Sequence, residues 1–379
     1  MTQPHPGLIA LAAERPLPEV PRTQFDDLAA SAFEHKMAGL LWSRVAAGEL
    51  KLPKSTTMVL ARADLRTRGH HLRLWQTATD IAQRLRARGI GVAVAKGVSI
   101  EARWYERLGE RPSVDVDLVI EPGKASLLDE IIFALQPDRV LHGRAVTLLS
   151  TGMLQSVDID VAGIDVDLHA DIMKYEIPTR SADVIWQRLR KVSGPNGATV
   201  DALDPELSLV HSLLHLNKDR FSLLLGYADV ARILARENLD WDFIDAFLRR
   251  EGLAVHIYSA LDVVVTTLGL EHQVPRRPRS LRATFWDLLW SPNVRLAGRE
   301  GYTTGVHRQF FIPMLADGRS LEAVRWFVRR RIAPPASLID LYYPNTSGPY
   351  LLRLLNGRLQ VMTRNRVARQ AYSRSNHFR

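Results

Sequence analysis

Asp115 and Asp117 stand one residue apart inside the otherwise apolar run SVDVDLVIEP. The period-two alternation marks that run as a strand, and in a strand residues i and i+2 point to the same side. The two carboxylates therefore project together, while Val114, Val116 and Leu118 face the other way. Unpartnered charge is costly to bury, so something has to neutralise the pair. Mg²⁺, a hard cation that prefers oxygen ligands, would do so. Asp165, Asp167 and His169 alternate in the same way in IDVDLHAD. If that strand lies beside the first, Asp167 supplies a third carboxylate. Asp115, Asp117 and Asp167 would then be metal ligands. The set matches what two Mg²⁺ ions about 4 Å apart need to clamp the attacking and leaving oxygens of a phosphoryl transfer.

The run GIGVAVAKG, upstream of the aspartates, offers the other half of such a site. Gly97 would let the backbone approach a phosphate, and a helix starting near Val98 and Ser99 would aim its first N–H groups at it. Lys96 and Arg111 would offset the charge of a nucleoside triphosphate. His169 reads as a ligand or acceptor-positioning group, or else as a strand histidine bonded to a neighbour. Asp165 falls at the rim, and Asp158 and Asp160 fall on a solvated strand edge. A lone D-x-D pair also caps loops. The order of strand, Lys-Gly turn, helix, D-x-D strand and later D-x-H strand carries the reading.

Several elements must position these residues. The first 22 residues are proline-rich and read as a loose segment draped over the surface. A helix is predicted from Thr23, its N-cap, to Gly48, and a long arginine-rich helix over about 54–88, ending at Gly89. Residues 89–195 read as strand, helix, strand, helix, strand, strand. In detail these are GIGVAVAKG, a three-turn helix VSIEARWYERLG, SVDVDLVIEP, the helix GKASLLDEIIFALQ, and two strands turning at Ala162-Gly163. GPNGATVDALDPELS reads as a loop leading to an Asp204-Pro205 helix start, with further helices to about 270. PRRPRS is a basic loop, SLEAVRWFVRRRIAPP a solvated helix with Trp326 and Phe327 packed inward, and the tail is basic. His211 and His215 have the i, i+4 spacing of a metal pair, but no H-E-x-x-H pattern accompanies them, so they read as structural. HLNKDR, with Lys218 and Arg220, offers a wall for a nucleotide cleft. Asp229 reads as a structural carboxylate.

With 379 residues, 46% of them hydrophobic and 24% charged, the chain has ample material for a core. It has no cysteine, which excludes disulfides, thiolate metal sites and thiol nucleophiles. The net charge of +9 favours polyanions, RNA among them. The N-terminus lacks a positive region before its short apolar run, and no apolar stretch is long enough to span a bilayer. The expected location is cytoplasmic.

The chain resembles the uncharacterised bacterial nucleotidyltransferases of the polymerase-β-like superfamily, often called nucleotidyltransferase family 5. The residues that carry the resemblance are Ala95-Lys96-Gly97, Tyr105, Arg111, DVDLVI and VDLH, with the helical flanks ASAFEHKMAGLLWSRV and DPELSLVHSLLHLNKDRF…LLGYADVARIL. It spans about 30–270. It implies an α+β fold: a small mixed nucleotidyltransferase sheet flanked by N-terminal helices and a helical C-terminal region. The expected divisions are the proline-rich segment 1–22, N-terminal helices 23–88, an α/β core 89–200, a helical domain 201–272 closing the cleft, and a basic region 273–379.

The resemblance also implies Asp115 and Asp117 as metal ligands, Asp167 as a ligand or the base that activates the acceptor, and Gly97 and Ser99 as phosphate-holding residues. The usual glycine-serine pair is Gly97-Val98 here, with Ser99 one place late. The implied reaction is Mg²⁺-dependent transfer of a nucleoside monophosphate from ATP or another triphosphate to an acceptor hydroxyl on a small molecule, sugar or peptide. Three alternatives stand beside it: a toxin-like enzyme that modifies tRNA, a catalytically degraded nucleotide-binding protein, and an RNA-binding protein working through residues 275–379.

Overall fold

The computed structural model describes residues 4–124, 127, 130, 135, 156–172, 179–195, 197–219, 221–275, 320–328, 332–336, 339–340 and 347–358. Helices α1 (Pro6–Ala12), α2 (Phe25–Glu34) and α3 (Ala38–Ala46) precede the long α4 (Lys54–Arg86). An α/β unit follows: β1 (Val92–Val94), α5 (Val98–Trp104), β2 (Asp115–Ile120), β3 (Ser156–Val161) and β4 (Ile164–His169). It continues with α6 (Ala182–Gln187), β5 (Arg190–Ser193) and β6 (Thr199–Ala202). A helical cap is built from α7 (Pro205–Lys218), α8 (Leu224–Arg236), α9 (Trp241–Glu251) and α10 (Ala254–Leu268). Helix α11 (Ser320–Phe327) lies further along the chain.

The strands form one mixed sheet in the order β3-β4-β2-β1-β6-β5. The pairs β2/β4 and β1/β6 are parallel, and the others are antiparallel. Alternation gives the sheet two unlike faces. Val116, Leu118, Val166 and Leu168 pack under α4, against Leu74, Trp75, Ala78 and Ile81. The opposite face carries Asp115, Asp117, Asp167 and His169 and looks toward the cap. Burial of the apolar face thus fixes the register that gathers the polar residues on the other. Asp204 caps α7, accepting from Leu207 N at 2.8 Å, with Pro205 at the first helical position.

Four predicted elements differ. The proline-rich start is not loose: α1 buries Leu8, Leu11 and Ala12 in the helical core. The helix expected over 23–48 is two, broken where Lys36 takes a φ of 58°. Gly39 then packs so tightly that a Cβ there would lie 2.1 Å from Gly109 O. Helix α5 stops at Trp104, shorter than the three turns expected, because Tyr105 is extended and turns its ring toward the cap. The expected loop before Asp204 holds the hairpin β5/β6, which adds β6 beside β1. The two positive φ values at Ala162 (54°) and Gly163 (78°) make the predicted tight turn between β3 and β4. The helix GKASLLDEIIFALQ falls almost wholly outside the described residues. So do the PRRPRS loop, the side chains of Trp326 and Phe327, and residues 359–379. Among the described residues no helix is long and apolar enough to cross a membrane.

Candidate functional site

Parallel pairing of β2 with β4 sets Asp115 opposite Asp165 and Asp117 opposite Asp167. The carboxylates of two strands therefore form rows across the sheet. Antiparallel pairing with the edge strand β3 extends one row, placing Asp158 opposite Asp167. His169 reaches back over this row: its Nε2 lies 3.2 Å from Asp117 Oδ1 and 2.9 Å from Asp167 Oδ2. One ligand-type atom from each of Asp117, Asp167 and His169 lies within 4.8 Å of the other two. Lys96 closes the group, with Nζ 3.1 Å from Asp117 Oδ1.

Asp117 is only 1% exposed, so its charge depends on these neighbours. Burial opposes ionisation of Asp167, but the hydrogen bond and charge of His169 and the hydroxyl of Ser156 outweigh it and hold the carboxyl below its ordinary value. Asp158 moves the other way: partial burial and the neighbouring Asp167 raise it. Burial also opposes the charge on Lys96, yet Asp117 and Asp115 more than compensate, and its ammonium is held above the usual lysine value.

A cleft of about 130 Å³, open to solvent, begins beside Lys96 and Asp115 and runs to the cap. Lys96, Gly97, Ser113 and Asp115 line its sheet side. Gly97 sits at a φ of 65°, and a Cβ there would come 2.8 Å from Ser113 Oγ. Only glycine suits this turn. The loop behind it is pinned from below. His71 Nε2 accepts from Ser113 N at 2.8 Å, which leaves the imidazole proton on Nδ1, facing Glu101 Oε2. Glu101 Oε1 in turn accepts from Gly109 N at 2.7 Å and Arg111 N at 3.2 Å.

The structure brings Asp117, Asp167, His169 and Lys96 together and puts Asp115 and Gly97 on the adjoining cleft wall. Ser99 and Arg111 make their hydrogen bonds to other parts of the protein. Ser99 is 4% exposed, and its hydroxyl turns back to donate to Lys96 O at 3.3 Å, so it does not face the cleft. Arg111 lines the cleft, but its Nε and Nη2 each donate to Asp229 at 2.8 Å. Tyr105 Oη donates to the same carboxylate at 2.7 Å. Burial and the Asp229 charge push the Tyr105 phenol well up, so it stays a neutral donor. From the cleft wall, Arg111 thus ties the cleft loop to α8.

Sequence reasoning missed Ser113, His71 and Glu101. His71 and Glu101 are ordinary polar positions on helices, and nothing in their spacing announces that the fold buries them together. The solvated edge expected for Asp158 is exposed as foreseen, but it adjoins Asp167. Of the HLNKDR wall, His215, Leu216 and Asp219 line the cleft, and Arg220 lies outside the described residues.

A family model described as "Uncharacterised nucleotidyltransferase" matches residues 21–269. No curated protein matches. Among solved structures, the chain is similar to one described as an antigenic nucleotidyltransferase-like protein from Paracoccidioides brasiliensis. The two share 15% identity over 50% of this chain and 92% of that one, with a TM-score of 0.30.

Proposed function

The chain belongs to the family of uncharacterised nucleotidyltransferases, and from that premise we propose that it moves a nucleoside monophosphate from a nucleoside triphosphate to an acceptor hydroxyl. The observation that carries this reading is the convergence of Asp117, Asp167 and His169 beside Lys96, which itself lines the cleft.

The residues fit a divalent cation. Asp167 Oδ1 is buried and makes no hydrogen bond among the described residues, and the carboxylate donors are of the kind Mg²⁺ prefers. Asp117 and Asp167 would hold it, with Asp115 available to a second ion and His169 on the flank. When bound, Mg²⁺ supplies neutralisation of the triphosphate and polarisation of the phosphoryl oxygens. The chain's own residues do the rest. The Gly97 turn admits the phosphates close to the backbone, and Lys96 adds positive charge beside them. The acceptor oxygen forms a bond to the α-phosphorus. The bond from that phosphorus to the bridging oxygen breaks, and pyrophosphate leaves with the electron pair. The hydroxyl proton leaves to solvent, while Asp167, held below its ordinary value by His169 and Ser156, stays ionised. Positioning and charge provide most of the rate in such transfers.

The acceptor is a small molecule, a sugar or a peptide. The net charge of +9 favours RNA as a second reading. The test is transfer of α-labelled nucleotide, with Mg²⁺, to separate pools of tRNA, sugars and peptides. Label should appear in one pool and fall by about two orders of magnitude or more in Asp115→Asn and Asp117→Asn. Undiminished transfer in both variants contradicts the reading.

A further inference from the structure

The cleft has two unlike ends. Lys96, Gly97 and Asp115 form the charged end, which the proposed reaction assigns to the triphosphate and its metal. The other end is built by the cap, where His211, His215, Leu216 and Leu225 line the wall. The two imidazoles lie one turn apart on α7, edge to face, with ring centroids 5.4 Å apart. His211 is buried at 2% exposure, whereas the His215 side chain is 18% exposed. His215 Nδ1 lies 3.8 Å from Asp219 Oδ2, one turn further on. The histidine pair is not part of the group of three ligand-type side chains, Asp117, Asp167 and His169, that converges among the described residues.

We propose that His215, oriented by Asp219 and backed by His211, contacts the nucleoside half of the bound triphosphate and sets nucleotide preference. The inference rests on the nucleotide-transfer reading, because that reading fixes the phosphates at Lys96 and Gly97. A nucleoside needs apolar walls and a few well-placed polar groups. Leu216 and Leu225 supply the first. A neutral imidazole offers one donor and one acceptor, enough to read a base edge or a sugar hydroxyl. The sheet end cannot discriminate between bases, since every triphosphate presents the same phosphates to it. Preference therefore belongs to α7.

The experiment is equilibrium binding, with Mg²⁺, of the four α,β-methylene nucleoside triphosphates and of inorganic tripolyphosphate. The proteins are wild type, His215→Ala, Asp219→Asn and Asp117→Asn. Loss of one polar contact lowers affinity by about tenfold. His215→Ala should weaken the preferred nucleotide by about that factor, level the four affinities, and leave tripolyphosphate unchanged. Asp219→Asn alters a side chain that is 49% exposed, so the fold is safe, and it should shift affinities the same way by less. Unchanged discrimination in both variants overturns the role of His215. If Asp117→Asn still abolishes binding in that case, nucleotidyl transfer stands. Equal loss of tripolyphosphate in His215→Ala also overturns the proposal, by making the histidine structural. Failure of wild type to bind any of the five ligands brings down both readings.

Discussion

Asp117 is the most constrained carboxylate of the site, because Lys96 and His169 both lean on a side chain that is 1% exposed. Lys96 is less buried, at 17% exposure, so part of its charge is screened by water. The pair predicts a link between metal and stability. Lys96→Met removes a cation from beside two aspartates, and breaking a buried pair costs at most about 3–5 kcal/mol. The variant should melt below wild type in chelator, and Mg²⁺ should recover more of the difference than it adds to wild type. A melting curve indifferent to Mg²⁺ in both proteins would place the cation elsewhere. His169 touches both carboxylates, so His169→Ala should weaken Mg²⁺-dependent nucleotide binding. Calorimetric titration would reveal this, and wild-type affinity in the variant would reduce the histidine to a packing role.

At the scale of elements, two glycines do different work. Gly39 allows α3 to lie against the backbone of Gly109 and Glu110. Gly39→Ala should lower the melting temperature through overpacking worth about 1–3 kcal/mol, visible in thermal denaturation. Gly97→Ala strains a turn at positive φ that shapes the cleft. It should cost nucleotide affinity out of proportion to any loss of stability, and a variant that binds normally would argue against a phosphate role for the turn. The elements that were legible in the sequence share a local signature. Alternation revealed β2 and β4, and Asp204-Pro205 announced α7. Ala162-Gly163 announced the hairpin turn. Elements that depend on distant partners were not legible. The short strands RKVS and TVDA gain strand character from pairing with each other and, for β6, with β1. Helix α1 is ordered by burial against the core, and its proline content concealed that. The same holds for the site. The carboxylates could be placed on one face from period two alone, whereas the commitment of Arg111 to Asp229 depends on a partner 118 residues away.

On the scale of the whole molecule, a buried carboxylate, Asp229, helps to join the α/β unit to the cap. Asp229 on α8 accepts from Tyr105 and holds Arg111 in a bidentate grip, and the Arg232 guanidinium lies 4.5 Å from the Tyr105 ring centroid. Tyr105 and Arg111, two residues that carry the family resemblance, thus serve to hold the cap over the sheet. Asp229→Ala leaves the buried Arg111 without its anion and should cost about 3–5 kcal/mol, read as a lower denaturation midpoint. Because Arg111 belongs to the cleft wall, nucleotide affinity should fall with it. A variant as stable as wild type would show that the cap is held by its other contacts, such as Trp104 Nε1 donating to Glu237 at 2.7 Å.

The measurement that tests the central claim most directly is Mg²⁺-dependent binding of the four nucleoside triphosphates to wild type and to Asp117→Asn, with pyrophosphate release followed in parallel. Wild type should bind at least one nucleotide only when Mg²⁺ is present. Asp117→Asn should lose that binding at a temperature well below the melting point of either protein, where both are folded. Nucleotide binding that persists undiminished in Asp117→Asn, or that ignores Mg²⁺, would contradict the assignment of the site to this row of carboxylates.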